Sequence, residues 1–206
     1  MTVFYPDPRR DFFDQLAHQW ESMTGDYTES PVFGEWLKSS GLATGQRVLE
    51  IGCGAGRVLP RIQNTVGKKG APVGLDLSFE MLQIARFRCA GLPVGLLQAE
   101  AWRLPFTSHS FDQVLIMNTF PHLQPVKEVL SEIQRILCRD GLLHITHFGS
   151  RERINHIHSS STGPIKEDLL APAKELATTL EQEGFSVLTC LENEMIYDIK
   201  CRSATA

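Results

Sequence analysis

Short apolar runs alternate with amphipathic stretches through the central part of the chain. Apolar runs of this kind are typical of strands that are covered on both faces of a parallel sheet. They predict strands at 48–51, 71–76, 94–98, 112–118 and 142–148. Between them, apolar side chains at helical spacing predict helices at 58–65, after Ser78 and at 126–138. Strands that alternate with helices predict an α/β fold, in which helices pack on both faces of a mostly parallel sheet.

The residues before this central region are predicted to form a helical cap. Asp7 and Pro8 are typical of a helix start, and apolar residues at helical spacing predict a helix at 8–23. A second helix is predicted at 31–39. The aromatic residues of these helices either pack on the sheet or close a ligand pocket, and packing is the commoner role of such residues.

The residues after the central region are predicted to complete the sheet. Residues 151–164 are rich in polar side chains and are predicted to form an irregular loop, followed by a helix at 167–183. An antiparallel hairpin is predicted at 185–191 and 195–202, which gives a seven-stranded sheet whose last strand is antiparallel. The chain is thus predicted to be one domain of three parts, namely a cap at 1–40, a core at 41–150 and a substrate side at 151–206.

A glycine-rich stretch follows the first predicted strand. Glu50 comes just before it, and at Gly52, Gly54 and Gly56 the backbone can turn tightly and approach a ligand closely. A dinucleotide site needs the spacing G-x-G-x-x-G, but Arg57 stands at the place of the third glycine. A carboxylate before the first glycine also repels a pyrophosphate and suits a ligand that carries an amino group. An NAD-dependent oxidoreductase is therefore the poorer alternative.

A second acidic residue, Asp76, ends the next predicted strand. It lies about 20 residues after the last glycine, where nucleotide-binding α/β folds place an acid that binds the ribose hydroxyls. One carboxylate can accept hydrogen bonds from both hydroxyls of a vicinal diol. Because ligands of such sheets bind beyond the carboxyl ends of the strands, Asp76 is expected in the same crevice as the glycine stretch.

The overall composition is that of an ordinary globular protein and limits the possible partners. The chain has 206 residues, a net charge of −4 and a pI near 6.0, which argue against a broad nucleic-acid interface. No apolar run is long enough to span a membrane, and residues 1–10 do not resemble a signal peptide. The five cysteines include no C-x-x-C pair and are interpreted as reduced thiols of a cytoplasmic protein. The oligomeric state is left open between monomer and homodimer.

Linked segments between about residues 45 and 150 resemble the class I S-adenosylmethionine-dependent methyltransferases. Glu50 and the glycines match the family's E-x-G-x-G-x-G motif, and Asp76 begins its D-x-S-x-x-M-L segment. Glu100 begins its D-A-x-x-L-P-F segment, where the acid is one methylene longer than the usual aspartate. A later run matches the family's E-x-x-R-x-L-x-x-x-G-L-L. The resemblance implies a Rossmann-like fold and methyl transfer to a small molecule, as in the ubiquinone and menaquinone C-methyltransferases.

The same resemblance assigns residues to the cofactor, S-adenosylmethionine, whose product is S-adenosylhomocysteine. Glu50 suits the amino group of the cofactor, and Asp76 is expected to bind its ribose. Glu100 and Ala101 are expected to hold the adenine, while Asn118 lies beside the methionine part and the methyl acceptor. The predicted cofactor-binding residues are Glu50, Gly52, Cys53, Gly54, Gly56, Asp76, Leu77, Met81, Glu100, Ala101 and Asn118.

Residues on the acceptor side are predicted from their positions along the chain. His122 follows the fourth strand and is the candidate catalytic base, although positioning of the acceptor can suffice without a base. The segment 151–164, together with the N-terminal helix, is expected to cover the crevice and to read the substrate. The alternative is a solvated surface loop, which is common for a serine-rich stretch. The predicted substrate-binding residues are Phe13, Tyr27, His122, His147, His156 and His158.

Two further hypotheses remain open from the sequence. His147, His156 and His158 could converge above the sheet and bind a metal, but their spacing matches no common zinc signature, so no metal is predicted. The protein could also be a subunit or sensor that binds S-adenosylmethionine without catalysis. Such a protein would keep the glycine motif and lack a pocket for an acceptor.

Overall fold

A mostly parallel sheet runs through residues 7–203, which are the residues that the computed structural model describes. Its strands are β1 (Arg47–Ile51), β2 (Ala71–Asp76), β3 (Gly95–Gln98), β4 (Phe111–Met117), β5 (Leu137–His147), β6 (Phe185–Glu192) and β7 (Tyr197–Ser203). They lie in the order β3-β2-β1-β4-β5-β7-β6, and β7 is antiparallel to both of its neighbours. The predicted seven-stranded sheet with an antiparallel last strand is confirmed within these residues.

Helices lie between the strands and before the first of them. They are α1 (Pro8–Leu16), α2 (Trp20–Thr24), α3 (Pro31–Ser39), α4 (Leu59–Val66), α5 (Phe79–Arg88), α6 (Val126–Ile136), α7 (Arg151–Ser159) and α8 (Ala173–Gln182). Short 3-10 helices occur at Tyr27–Glu29 and Phe120–His122. None of the helices in residues 7–203 is long and apolar enough to cross a membrane.

The two faces of the sheet bury separate hydrophobic clusters. On one face, Leu49 and Ile116 belong to a cluster that includes the apolar sides of α6 and α8. On the other face, Val48 and Leu115 belong to a cluster that includes residues of α3 and α4. Neighbouring residues such as Val48 and Leu49 fall into different clusters because successive side chains of a strand point to opposite faces. Burial on both faces explains why the central strands are mostly apolar.

Many element bounds agree with the prediction. The bounds of β2 and α3 are those predicted, and the final hairpin is present as β6 and β7. Ser78 caps α5, since its hydroxyl oxygen accepts a hydrogen bond from the backbone N–H of Met81 at 3.1 Å.

The predicted continuous helix at 8–23 is wrong, since the chain forms α1 and α2 with a turn between them. In the turn, the N–H of Ala17 donates to the carbonyl of Asp14 at 3.4 Å. Ala17 is nevertheless buried, so the apolar spacing continues through the break. The spacing of apolar residues indicates which side of the chain faces the core, but it does not indicate where a helix ends. Residues 1–6 of the predicted cap and residues 204–206 of the C-terminal part lie outside the described residues.

The predicted irregular loop at 151–164 is also wrong, because most of it forms α7. Ser150 caps this helix by accepting a hydrogen bond from the backbone N–H of Arg153 at 3.3 Å. The buried residue of α7 is a histidine, His158, so the helix has no apolar periodicity to reveal it.

Two other element starts differ from the prediction. α8 begins at Ala173, later than the predicted helix at 167–183, because Pro172 has no N–H to donate and disfavours a helical residue before it. β5 begins at Leu137, where it pairs with Phe111 before a shift in register, so the preceding helix is shorter than predicted.

Candidate functional site

The carboxyl ends of β1 and β4 lie side by side, and the strand order predicts a ligand crevice between them. The chain proceeds from β1 outward to β2 and β3 and then returns to β4 on the other side of β1. In open α/β sheets, ligands bind beyond the carboxyl ends of the strands at the point where the strand order reverses. Gly52 and Thr119 meet here, since the Thr119 hydroxyl donates to the carbonyl of Gly52 at 3.1 Å.

The glycines after β1 differ in what surrounds them. All have positive φ, namely 72° at Gly52, 50° at Gly54 and 75° at Gly56, a conformation that other residues adopt at a cost. A Cβ at Gly52 would lie 2.1 Å from Cγ2 of Thr119, and one at Gly56 would lie 2.9 Å from Cβ of Ala85. A Cβ at Gly54 would meet nothing within 4 Å. The outer glycines therefore pack the loop against the protein, and the middle one faces open space.

Replacing Gly52 with alanine is expected to destabilise the protein more than replacing Gly54. Both variants place a Cβ on a residue with positive φ, at a cost of about 1 kcal/mol or more. Only Gly52→Ala must also displace Thr119, and overpacking of this kind adds about 1–3 kcal/mol. Urea unfolding measures both variants, and Thr119→Ala in the Gly52→Ala chain should recover part of the loss. Equal losses for Gly52→Ala and Gly54→Ala would contradict the close packing described.

The remaining predicted loop residue, Cys53, contributes through its backbone. The N–H groups of Gly52 and Cys53 donate to the carbonyl of Leu75 at 2.7 Å and 3.0 Å, which ties the loop to β2. The thiol of Cys53 is buried, and burial raises its pKa well above the usual value. The thiol therefore stays protonated and packs inward.

Glu50 places a carboxyl group inside the protein at the carboxyl end of β1. Its side chain is buried, with 2% of the residue exposed, and Oε2 has no hydrogen-bond partner within residues 7–203. Burial, followed by the charge of Asp76, raises the pKa of Glu50 well above its ordinary value. A buried acceptor without a donor is costly for the protein, and a ligand with a positively charged donor would satisfy it.

Asp76 lies at the end of β2 and is directed to the glycine loop. Its Oδ2 accepts a hydrogen bond from the N–H of Gly54 at 2.7 Å, and Oδ1 accepts one from the N–H of Ser78 at 2.9 Å. Burial raises its pKa, while these hydrogen bonds oppose the rise. Leu77 is half-buried beside it, and Met81 is buried with residues of the N-terminal helices. The predicted residues of this part of the site are thus brought together.

The segment after β3 is in contact with α1. Glu100 Oε1 forms an ion pair with Arg10 at 3.4 Å, and burial raises the pKa of this glutamate. Ala101 is buried next to it. Asp14 of α1 accepts a hydrogen bond from the hydroxyl of Ser78, at the start of α5. α1 therefore spans the ends of β2 and β3.

The second N-terminal helix is fixed to the glycine loop by arginines. Glu21 of α2 pairs with Arg57 at 3.6 Å and also with Arg88. Arg57 donates to the carbonyl of Gly25, and Arg88 donates to the carbonyl of Ala55 at 2.5 Å. Together, α1 and α2 lie over the glycine side of the crevice.

Aromatic and amide side chains line the side between β1 and β4. Asn118 has φ of 54°, and its side-chain oxygen accepts a hydrogen bond from the N–H of Phe148 at 2.9 Å. The ring of Tyr27 stacks on Phe148, with 4.9 Å between ring centroids. Burial and the nearby charge of Glu50 raise the pKa of Tyr27, and the side chain of Asn118 lies within hydrogen-bonding reach of its hydroxyl. Tyr27 and Asn118 therefore lie close to Glu50.

A group of polar side chains forms around His122 at the ends of β4 and β5. His122 Nδ1 is 2.9 Å from Oδ2 of Asp168, whose carboxylate also accepts hydrogen bonds from Arg9 of α1. The ring centroid of His122 lies 4.8 Å from that of His158 and 5.3 Å from that of Phe13. Nδ1 of His158 is in turn hydrogen-bonded to the backbone carbonyl of Asp168.

The other histidines are placed differently. His147 is buried at the end of β5, packs edge-on against Tyr197, and its Nε2 has no partner in the described part of the chain. Burial, followed by the charges of His122 and His158, lowers its pKa to about 3. His156 lies exposed on α7 and does not join this group. His144 is buried beside Trp36 on the other face of the sheet.

The histidines do not assemble a recognisable metal centre. Among the described residues, no group of three or more histidine, cysteine, aspartate or glutamate side chains could hold a metal ion. His158 uses Nδ1 for the backbone of Asp168, and His156 is exposed elsewhere. The group around His122 is thus a hydrogen-bonded one.

Sequence reasoning missed several residues of the site. Asp168 lies in what was predicted to be a helix and belongs to no motif, so only the tertiary structure brings it to His122. Arg9 reaches it from α1. Thr119 was inside a predicted loop, but nothing in the sequence marked its contact with Gly52.

Comparisons with known proteins agree with the fold. A family profile described as a methyltransferase domain matches residues 48–141, which run from β1 into β5. The crystal structure of a SAM dependent methyltransferase from Aquifex aeolicus matches with a TM-score of 0.73 at 24% identity, over 90% of this chain and 97% of that one. This likeness concerns the fold.

Curated relatives include enzymes named for quinones. A 2-phytyl-1,4-naphtoquinone methyltransferase of Synechocystis sp. is 34% identical over 105 residues, which cover 49% of this chain and 44% of that protein. A ubiquinone/menaquinone biosynthesis C-methyltransferase of Pseudomonas savastanoi pv. phaseolicola is 33% identical over 146 residues, which cover 67% of this chain and 57% of that protein. The match therefore spans about half the length of these relatives.

Proposed function

Because the chain belongs to the class I S-adenosylmethionine-dependent methyltransferases, we propose that it transfers a methyl group from S-adenosylmethionine to a small-molecule acceptor. The observation that carries the proposal is Oε2 of the buried Glu50 beside the glycine loop, which has no hydrogen-bond partner among residues 7–203. It is a site for a ligand that has both a positive charge and hydrogen-bond donors. NAD has no ammonium group to offer it.

The crevice residues fit the cofactor. Glu50 would hold the amino group, and the open space at Gly54 allows the ligand to approach the backbone. Asp76 would hold the ribose, since a carboxylate oxygen can accept more than the one hydrogen bond each receives here. Glu100 and Ala101 would border the adenine. When bound, S-adenosylmethionine supplies a methyl group on a positively charged sulfur, which is already electrophilic.

The protein's own contribution is to position the acceptor and to exclude water. α1 and α2 contact the glycine side of the crevice, where they would shield a bound ligand from solvent. Positioning of two reactants in this way can be worth about 7–11 kcal/mol. His122 is the candidate base for an acceptor that must lose a proton, since histidine can take up a proton near neutral pH.

We further propose that the acceptor is a hydroxylated aromatic ring of the quinol type. The support is the names of the curated relatives, together with the aromatic side chains of Phe13 and Tyr27 near the crevice. His147 would offer the unpartnered Nε2 of a neutral imidazole to a ring hydroxyl. A cavity of about 300 Å³ beside the segment that carries His122 leaves room for a substituent of the acceptor. Its lining includes apolar residues such as Phe120 and Leu176 and polar ones such as Gln124, Glu167 and Glu175.

Calorimetry with the purified protein is expected to detect binding of S-adenosylmethionine and S-adenosylhomocysteine, and no binding of NAD at the same concentrations. Mass spectrometry should then detect one added methyl group on a demethylated quinol incubated with protein and S-adenosylmethionine. Tighter binding of NAD than of either sulfur compound would overturn the proposal.

The alternatives differ from the proposal in measurable ways. A non-catalytic binding protein or sensor would bind S-adenosylmethionine and leave every acceptor unmethylated. An NAD-dependent oxidoreductase is not favoured, because Arg57 occupies the place of its third glycine. The cytoplasmic location and the oligomeric state, monomer or homodimer, stay predictions.

A further inference from the structure

Asp168 is a buried carboxylate that is shared between two partners from distant parts of the chain. Its side chain is 4% exposed, and it receives hydrogen bonds from Nε of Arg9 at 2.8 Å and from Nη2 of Arg9. Oδ2 also meets Nδ1 of His122 at 2.9 Å. The carboxylate therefore accepts both bonds from Arg9, and the position of one hydrogen atom decides the direction of its bond with His122.

The carboxylate is ionised at neutral pH. Burial by itself raises the pKa of Asp168, but hydrogen bonds from Arg9 and His122 outweigh burial and lower it to about 2. An ionised carboxylate can only accept hydrogen bonds. The hydrogen atom between Asp168 and His122 must then be on Nδ1 of the imidazole, which leaves the lone pair of a neutral His122 on Nε2.

The surroundings of His122 leave that nitrogen as the basic one. The groups that face the ring are Phe13 from α1, His158 from α7, His147 from β5 and Asp168. Arg9 lies behind Asp168, to which it is hydrogen-bonded. Burial lowers the pKa of both His147 and His158, so these neighbours are neutral near pH 7. Asp168 is therefore the anion in direct contact with the ring of His122.

We propose that Asp168 is a positioning residue that holds His122 with Nδ1 protonated, so that Nε2 takes the proton lost by the methyl acceptor; this rests on the proposed methyl transfer. As the acceptor forms its bond to the methyl group, the carbon–sulfur bond breaks and its electron pair stays on sulfur. The acceptor's O–H or C–H proton moves to Nε2 of His122. Asp168 stabilises the resulting imidazolium and remains ionised, and His122 later releases the proton to water.

The competing role for Asp168 is a clamp that holds α1 in place through Arg9. Two variants separate the roles. Both break the ion pair between Arg9 and Asp168, but only one removes the negative charge of the carboxylate that lies beside His122. Arg9→Gln leaves the carboxylate on His122. Asp168→Asn removes the charge and offers an amide in its place. Asp11→Asn, on the exposed side of α1, is the matched control for loss of a carboxylate.

The first measurement needs no activity. Long-range 15N–1H spectra of histidine-labelled protein, assigned with His122→Gln, report which ring nitrogen carries the proton. We expect the Nδ1–H form of His122 in the wild type, in Arg9→Gln and in Asp11→Asn, and a loss of that form in Asp168→Asn. An Nε2–H form in the wild type, or no difference between Asp168→Asn and Arg9→Gln, would overturn the proposal.

The second measurement is the dependence of kcat on pH. In Asp168→Asn, kcat should fall by about 10²–10⁴, the usual contribution of a general base, and the acidic limb of its profile should move to lower pH. Affinity for S-adenosylhomocysteine should stay within about twofold of wild type, since Asp168 does not reach the glycine loop. If kcat falls equally in Arg9→Gln and Asp168→Asn, and neither limb of the pH profile of kcat moves, Asp168 only holds α1 in place through Arg9. If the wild type binds no S-adenosylhomocysteine, the proposed function fails, while the proton position on His122 is still tested by the spectra.

Discussion

Glu50→Gln is expected to stabilise the free protein at neutral pH and to weaken its binding of S-adenosylmethionine. The folded state raises the pKa of Glu50 through burial and the charge of Asp76, whereas the unfolded chain has a value of about 4.3. Above that value the folded state retains a proton that the unfolded state has lost. Stability therefore falls as pH rises from about 4.3 through the raised pKa, at up to about 1.4 kcal/mol per pH unit.

Glutamine has a shape similar to that of glutamate, and its side chain does not ionise as the pH rises. At pH 7 we expect Glu50→Gln to raise the free energy of unfolding by about 1–3 kcal/mol relative to the wild type. Urea unfolding at pH 5 and pH 7.5 should show the larger gain at the higher pH. Glu35→Gln, an exposed glutamate that pairs with Lys38, is the control and should change stability by less than about 0.5 kcal/mol. A gain that is equal at both pH values would count against an ionisable, buried Glu50.

The same substitution should weaken ligand binding, because the amino group of the ligand loses a charged acceptor. A hydrogen bond between charged groups is worth about 1.5–3 kcal/mol, so the Kd should rise by about 10- to 100-fold. In the wild type, binding should also release a proton from Glu50, and calorimetric enthalpies should depend on the ionisation enthalpy of the buffer. Glu50→Gln should abolish that dependence. Unchanged Kd and proton release would remove Glu50 from the cofactor site.

Asp76→Asn is expected to raise the Kd of S-adenosylmethionine and S-adenosylhomocysteine by roughly 100-fold or more. The reason is the loss of charge from a residue that would accept hydrogen bonds from both ribose hydroxyls, each worth about 1.5–3 kcal/mol. Calorimetry with either ligand measures the change. Asp112→Asn removes a carboxylate that pairs with Arg47 outside the crevice, so its Kd values should equal those of the wild type.

The structure adds an expectation for the alanine variant of the same residue. Asp76 accepts hydrogen bonds from the N–H groups of Gly54 and Ser78, so Asp76→Ala leaves both of them without that partner. A buried donor left unpaired costs about 1–3 kcal/mol, and Asp76→Ala should lose stability as well as ligand affinity. Asp76→Asn keeps one acceptor oxygen and should lose less stability. Ligand affinity that survives in both variants would show that Asp76 does not bind the ribose.

The order and type of most elements followed from local sequence. β2 is apolar up to Asp76 and mostly buried, and Ser78 after it has the side chain that a helix start requires. Glu50 and Asp76 could be placed at one crevice because parallel strands share their carboxyl edge. Where packing did not depend on apolar periodicity the prediction was wrong, as for α7, whose buried residue is His158.

Contacts between segments that are far apart in sequence were not predictable in this way. The sequence determined the strands, the glycine loop and the acids that follow the strands, because these depend on neighbouring residues and on strand periodicity. Only the tertiary structure decided that Oε2 of Glu50 has no partner among the described residues, that Thr119 packs on Gly52, and that Asp168 joins Arg9 to His122. Those outcomes depend on side-chain directions and distances between elements, which the spacing of residues along one chain does not encode.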